Sequence, residues 1–347
     1  MRRNTMRTLL VAAMLAASPA LADTATVMAY SDGPFQDNYT ATVLDPYNRQ
    51  GGPNRAEFHG SASSATMLGE LRTQKTAPQV DVVIMDTTTA AIACAEGLIE
   101  KITPDMLPML GDLDKQALDA NGCGPAVTFD HFIIAYDTKT VQPAPTSLVE
   151  LRDPKWKGRV SLSAPPNIQA LALTAILAQS ESGDWHKPDG AFKTLREIAP
   201  NVQTFDPQPD GYTLILNDTL AFATGWNARA QLFRDRSQGR VGVMLPKEGT
   251  VLQLNMINLV KGAPHREAGL AFMRYALSPD AQKAFTERMF YGPTNTKAQI
   301  APDAAARTSA GPESKPRIIA VDWNEMVKLR DNWTQRWRRE VIAAGGR

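Results

Sequence analysis

Histidine, cysteine and net charge are all scarce in this 347-residue chain, and each shortage removes a class of function. The four histidines, His59, His131, His186 and His265, never fall at the His-x-x-x-His spacing of a helical zinc site. Two cysteines without nearby histidine pairs do not supply a usual zinc ligand set, so neither a metal nor another cofactor is expected. The sequence lacks a Gly-x-Ser-x-Gly nucleophile elbow and a Gly-x-x-x-x-Gly-Lys phosphate loop. His59 stands two residues before Ser61, but no carboxylate to orient such a pair is apparent, so an enzyme is not indicated. With 37 Lys and Arg against 36 Asp and Glu, the chain also lacks the basic excess of a nucleic-acid binder.

Long apolar runs are scarce too. Leu9–Ala17 is too short for a permanent membrane anchor, and no later run reaches spanning length. It follows Arg2, Arg3 and Arg7 and precedes Ala20-Leu21-Ala22, the order of a cleaved export signal over residues 1–22. No cysteine follows that cleavage point, so a lipid anchor is unsupported and a soluble exported chain starting at Asp23 is expected. Removal of 22 from 347 residues leaves 325, enough for two lobes, with 34 basic residues against 36 acidic ones. In an oxidising compartment Cys94 and Cys123 are expected to pair, stabilising the fold by about 3–4 kcal/mol in the chain-entropy account.

What the mature chain does have is a repeated order of strand, polar loop and helix, which indicates an α/β fold. Val27–Tyr30, Ala56–His59 and the almost wholly apolar Val80–Met85 are expected strands, the last covered on both faces. Each leads into a loop rich in Ser, Thr, Asp or Gly and then a helix, the third ending near Gly97. Phe132–Tyr136 is expected to cross to a second lobe, with further strands at 158–162, 220–224 and 241–245. Helices are expected at 168–177, 192–198 and after Ser278-Pro279-Asp280, a cap, proline and acid in order. A short helix capped by Thr146 or Ser147 should stop at Asp153-Pro154. The tail 321–342 places Met326, Arg330, Trp333, Trp337 and Val341 near one stripe, a packing face rather than a ligand platform.

In open α/β sheets the strand carboxyl ends face the ligand crevice, and free N–H groups at the following helix starts can hold anionic or carbonyl groups. Ser31, Asp32, Ser61, Ser63, Asp86, Thr87 and Asn167 are therefore candidate ligand residues, although each can equally cap its own helix. Trp226 directly follows a strand end, where its indole can stack on an alkyl chain or a cation. Arg229, one turn on, can pair with a ligand carboxylate or point to solvent. In PKEGTVLQLNMINLV (246–260), Leu252, Leu254 and Met256 share one strand face while Gln253 and Asn255 share the other. Two neutral amides on one face can line a polar ligand or simply meet water.

Several motifs in order resemble the periplasmic solute-binding proteins of the spermidine/putrescine and iron(III) branch. They are FDHFIIAYDTKT (129–140), PTSLVELRDPKWKGRV (145–160), GWNARA (225–230), PKEG (246–249), AGLAFMRYALSPDAQKAF (268–285) and YGPTNTKA (291–298). The resemblance implies a type II-like, two-lobed α/β fold whose hinge strands close the lobes on a ligand. Lobe 1 is then 23–128 plus about 254–297, and lobe 2 is 129–253 plus about 298–347. It implies a monomer in the periplasm that serves an ABC importer, with a permease and an ATPase as partners, no nucleic acid and no membrane insertion. It adds Asn227 and Tyr291 to the expected cleft residues. The iron branch uses adjacent tyrosines, which are absent here. The polyamine branch places an aromatic residue and an aspartate where this chain has Gln253 and Asn255. A ligand less cationic than spermidine is therefore expected, an amino-acid-like zwitterion or another small amine, with Asp32, Asp86 or Asp210 as the ammonium partner. A small carboxylate or other anion, or a chemosensory rather than a transport role, is the alternative.

Overall fold

The computed structural model of this chain describes residues 23–31 and 33–345. The expected export signal at 1–22 and the candidate Asp32 lie outside the described residues.

Three β–α units open the chain. β1 (Thr24–Tyr30) leads to α1 (Gly33–Tyr39), β2 (Arg55–Ser61) to α2 (Ser64–Thr73), and β3 (Val82–Asp86) to α3 (Thr87–Ala95). β1 pairs with β2 and β3 in parallel, so Tyr30, Ser61 and Asp86 finish at the same sheet end. β4 (Ala126–Asp137) is 12 residues long and starts well before the expected Phe132. Its earlier half pairs with β9, which explains the extension: Val127 and Phe129 are buried core residues that a strand limited to 132–136 would leave unpaired.

The second half contains β5 (Val160–Ser161), α4 (Ile168–Ser182), α5 (Asp189–Ile198), β6 (Val202–Thr204) and α6 (Gly211–Leu216). β7 (Phe222–Trp226), α7 (Asn227–Arg236), β8 (Val241–Met244) and β9 (Leu252–Leu259) follow, then α8 (Arg266–Ala276) and α9 (Pro279–Met289). The sheet order is β2-β1-β3-β9-β4-β7-β5-β6, with β8 paired to β4 off that path. β4 pairs with β9 as far as His131 and with β7 from Phe132 onward, so it and β9 join the two halves of the sheet.

The segment after Ser147 forms a short 3-10 helix, Leu148–Arg152, rather than an α-helix. Its capping is dense: Ser147 and Glu150 form a reciprocal box, and Glu248 of the PKEG turn accepts from Ser147 Oγ and, at 3.1 Å, from Leu148 N. The two motifs are thus one structural unit. The tail helix α10 (Trp323–Arg336) continues through Ile342 in wider turns. Met326, Trp333, Trp337 and Val341 are buried along it, and Trp337 donates to Thr174 Oγ1 at 2.9 Å, the packing role expected of the stripe. Trp323 donates to the Leu252 carbonyl at 2.7 Å and so ties α10 to β9. Cys94 and Cys123 form a disulfide, joining the end of α3 to the approach to β4.

Candidate functional site

The carboxyl ends of both sets of strands converge on the middle of β4 and β9. Asp86 of β3 stands opposite Asn255, which stands opposite Thr128 of β4. One pair further, Gln253 is in register with Asp130, and Phe132 is in register with Trp226 of β7. Antiparallel register partners share a sheet face, so Thr128, Asp130, Phe132, Gln253, Asn255, Asp86 and Trp226 are presented on one side. Leu252, Leu254 and Met256 take the opposite face, as alternation requires, and all are buried.

Hydrogen bonds organise this face around Asn255. Its Nδ2 donates to Thr128 Oγ1 at 2.9 Å, while its Oδ1 accepts from Tyr30 OH at 3.3 Å and from Gln253 Nε2 at 3.4 Å. The Tyr30 hydroxyl also meets Ser64 Oγ at 2.8 Å. Gln253 Oε1 is buried and has no hydrogen-bond partner among the described residues. A buried acceptor left open is costly unless something fills it.

Trp226 is held from behind. The Tyr212 hydroxyl accepts from Trp226 N at 3.0 Å and donates to Trp226 O at 3.1 Å. Gly225 makes room for it, since a Cβ there would lie 2.4 Å from that hydroxyl oxygen. The indole packs edge-on against Phe132, with centroids 6.0 Å apart. Tyr291 stacks on Phe285 at 5.4 Å, and Phe35 approaches both Tyr291 and Tyr30 edge-on.

Several ionisable groups meet here. Burial lowers the Arg229 guanidinium, and the neighbouring Tyr291 phenol acts in the other direction. Burial raises the phenols of Tyr30, Tyr212 and Tyr291, so they stay neutral donors. The Asp130 carboxyl is pushed up to about 8 by burial, against the lowering effect of the Ala228, His131 and Asn227 N–H groups.

The remaining candidates are largely occupied by their own scaffold. Ser61 Oγ donates to Glu70 at 2.8 Å, and Ser31 N donates to the Ser61 carbonyl at 2.9 Å. Ser63 caps α2, and Asn167 caps α4 from an exposed position. Asp86 caps α3 through four bonds, from the N–H and hydroxyl of both Thr88 and Thr89. Asp210 likewise caps α6 through Thr213. Neither carboxylate is a bare counter-charge. Asn227 is a latch: its Nδ2 donates to the carbonyls of Phe290 and Arg307, and its Oδ1 accepts from Gln231. Thr87 is half-buried at the first turn of α3, and it lines a surface hollow of about 390 Å³ with Trp323, Asn324 and the Leu252–Met256 face.

Thr128 and Asp130 belong to the same face and Tyr30 reaches it through its hydroxyl, and none of the three is among the expected residues. The signal for two of them was present: Thr128 and Asp130 alternate with Val127 and Phe129, the same period-two pattern as Gln253 and Asn255.

The chain is similar to known proteins over most of its length. A family model described as bacterial extracellular solute-binding protein matches residues 42–312. The spermidine/putrescine-binding periplasmic protein of Escherichia coli (strain K12) is 23% identical over 274 residues, 76% of this chain and 78% of that one. The gamma-aminobutyric acid-binding protein of Pseudomonas aeruginosa is 23% identical over 296 residues, 82% and 80% of the two chains. An ABC transporter substrate-binding protein from Bradyrhizobium japonicum has the same fold, with a TM-score of 0.75 at 24% identity over 90% of this chain and 99% of that one.

Proposed function

Because the chain belongs to the bacterial extracellular solute-binding protein family, we propose that it captures a small amine-bearing, amino-acid-like solute in the periplasm and delivers it to an ABC permease driven by an ATPase. The observation that carries the choice of solute is the Gln253–Asn255 face. It offers hydrogen-bonding amides without a formal charge, walled by Tyr30, Trp226 and Tyr291 and bordered by Arg229. A hydrogen bond to a charged partner contributes roughly 1.5–3 kcal/mol against about 1 for a neutral one, so amides at 253 and 255 favour a ligand with a single ammonium over a polyamine. The five-donor fork of Arg229 suits the carboxylate at the other end of a zwitterion. Two relatives whose names specify spermidine/putrescine and gamma-aminobutyric acid are consistent with an amine.

A second possibility, a small carboxylate or other anion, draws on Arg229 in the first turn of α7. A thermal-shift screen separates the two, because a bound ligand raises the melting temperature by mass action. Monoamines and ω-amino acids should raise it, and Gln253→Ala should diminish the shift. Stabilisation by dicarboxylates or phosphates with none by any amine would reject the proposal.

A further inference from the structure

Helix α7 begins without a cap of its own, because Trp226 precedes it and makes no side-chain bond to the first turn. Its open N–H groups require acceptors from elsewhere. Asp130 supplies them from β4: Oδ1 accepts from Ala228 N at 3.1 Å and from His131 N at 2.8 Å, and Oδ2 lies 3.4 Å from Ala228 N. The Asn227 N–H contributes as well. The side chain is buried, at 4% exposure. Its register partner across the ladder is Gln253, whose Oε1 is the buried acceptor without a partner among the described residues. Two side-chain acceptors, one of them a carboxyl, therefore lie side by side on the same sheet face.

We propose that Asp130 is the cation-selecting residue of the cleft, receiving the ligand's ammonium group together with Gln253 Oε1 and keeping anionic groups off the Asn227 and Ala228 N–H groups of α7, a position distinct from the Arg229 side chain. This rests on the amine-binding function proposed above and names the group that would enforce it. A free helix start attracts carboxylate, phosphate and phosphonate groups. Here that position already holds a carboxyl oxygen, so an incoming anion meets occupied donors and, once the carboxyl is ionised, like charge. An ammonium brings three donors and no acceptor, which matches the vacant Gln253 oxygen and the adjoining carboxylate.

The same geometry links binding to pH. The ionisable groups around Asp130 are Tyr212 on α6 and Tyr291 beyond α9, which both feel its charge, His131 beside it on its own strand, and Arg229 on α7, which interacts with Tyr291. Burial pushes His131 down to about 3 and raises both phenols, and an arginine stays charged. Between pH 6 and pH 9, Asp130 is thus the one of these groups that changes charge, with its carboxyl centred at about 8. A cation arriving beside it favours the ionised form. Amine binding should release protons and tighten with rising pH until the amine itself deprotonates.

Calorimetry with 4-aminobutyrate, putrescine and succinate at pH 6 and 8.5 tests this on the wild type, Asp130→Asn and Gln253→Leu. The amine bound by the wild type should bind roughly tenfold or more tightly at pH 8.5 than at pH 6, since a single coupled ionisation gives up to tenfold per pH unit. Asp130→Asn should abolish that pH dependence, weaken the amine about tenfold or more, and improve succinate. Gln253→Leu should weaken the amine and keep the pH dependence. An amine whose affinity changes less than about twofold with pH in the wild type overturns the inference, even if Asp130→Asn does not fold. Equal affinity and an equal pH profile in wild type and Asp130→Asn also overturn it, while leaving the amine reading intact. Binding of succinate alone by the wild type overturns both.

Discussion

In the proposed amine-binding role, an amide rather than a carboxylate at position 255 should limit how much positive charge the cleft tolerates. Asn255 Oδ1 accepts from Tyr30 and Gln253, and Thr128 Oγ1 accepts from its Nδ2. Asn255→Asp keeps the first two bonds, and the Thr128 hydroxyl can rotate to donate the third. The substitution should therefore fold and raise spermidine affinity by about tenfold, a gain of about 1.4 kcal/mol, read by calorimetry. No gain would show that the ligand does not reach this pair.

His131 points away from that face and has a different consequence. It is buried, and its Nδ1 has no partner among the described residues. Burial pushes it from 6.5 down to about 3, so the folded state holds it neutral. The unfolded chain binds the proton first. The stability contributed by the neutral ring is complete above about pH 6.5 and is lost as pH falls towards 3, by at most about 1.4 kcal/mol per pH unit. Urea unfolding at pH 7 and pH 4.5 should show a smaller acid loss in His131→Phe than in wild type. Equal losses would contradict the assignment.

At the scale of elements, the parts that could be read from the sequence are those with local causes. β9 is legible because Leu252, Leu254 and Met256 alternate with Gln253 and Asn255. The starts of α3 and α9 are legible because Asp86 and Ser278 are cap residues, the second followed by proline and an acid in the first turn. The trans-cap from Asp130 to α7 joins residues 98 positions apart, and no local pattern announces it. The Asn227 latch to Phe290 and Arg307 has the same character, so a residue that looks like a ligand group is also a strut. The tail helix shows how a periodic stripe is settled by packing. Trp337 is wholly buried with its N–H satisfied by Thr174, so Trp337→Ala should cost about 3–5 kcal/mol in chemical unfolding while leaving ligand affinity nearly unchanged.

For the whole molecule, β4 and β9 are the only strands that each pair with members of both strand groups or lie between them, among the described residues. The candidate ligand face lies on these two strands, and Trp323 pins the tail helix to one of them. A solute bound at Gln253 and Asn255 would contact the first group through Tyr30 and the second through Trp226 and Arg229, the arrangement that hinge closure requires. Among the described residues no helix is long and apolar enough to cross a membrane. Direct calorimetric titration of the protein with 4-aminobutyrate, putrescine and spermidine tests whether the face recognises one ammonium rather than several. Tight binding of the ω-amino acid or another monoamine, with spermidine at least about tenfold weaker, is the predicted result. Tight spermidine binding with no binding of monoamines or amino acids would contradict it.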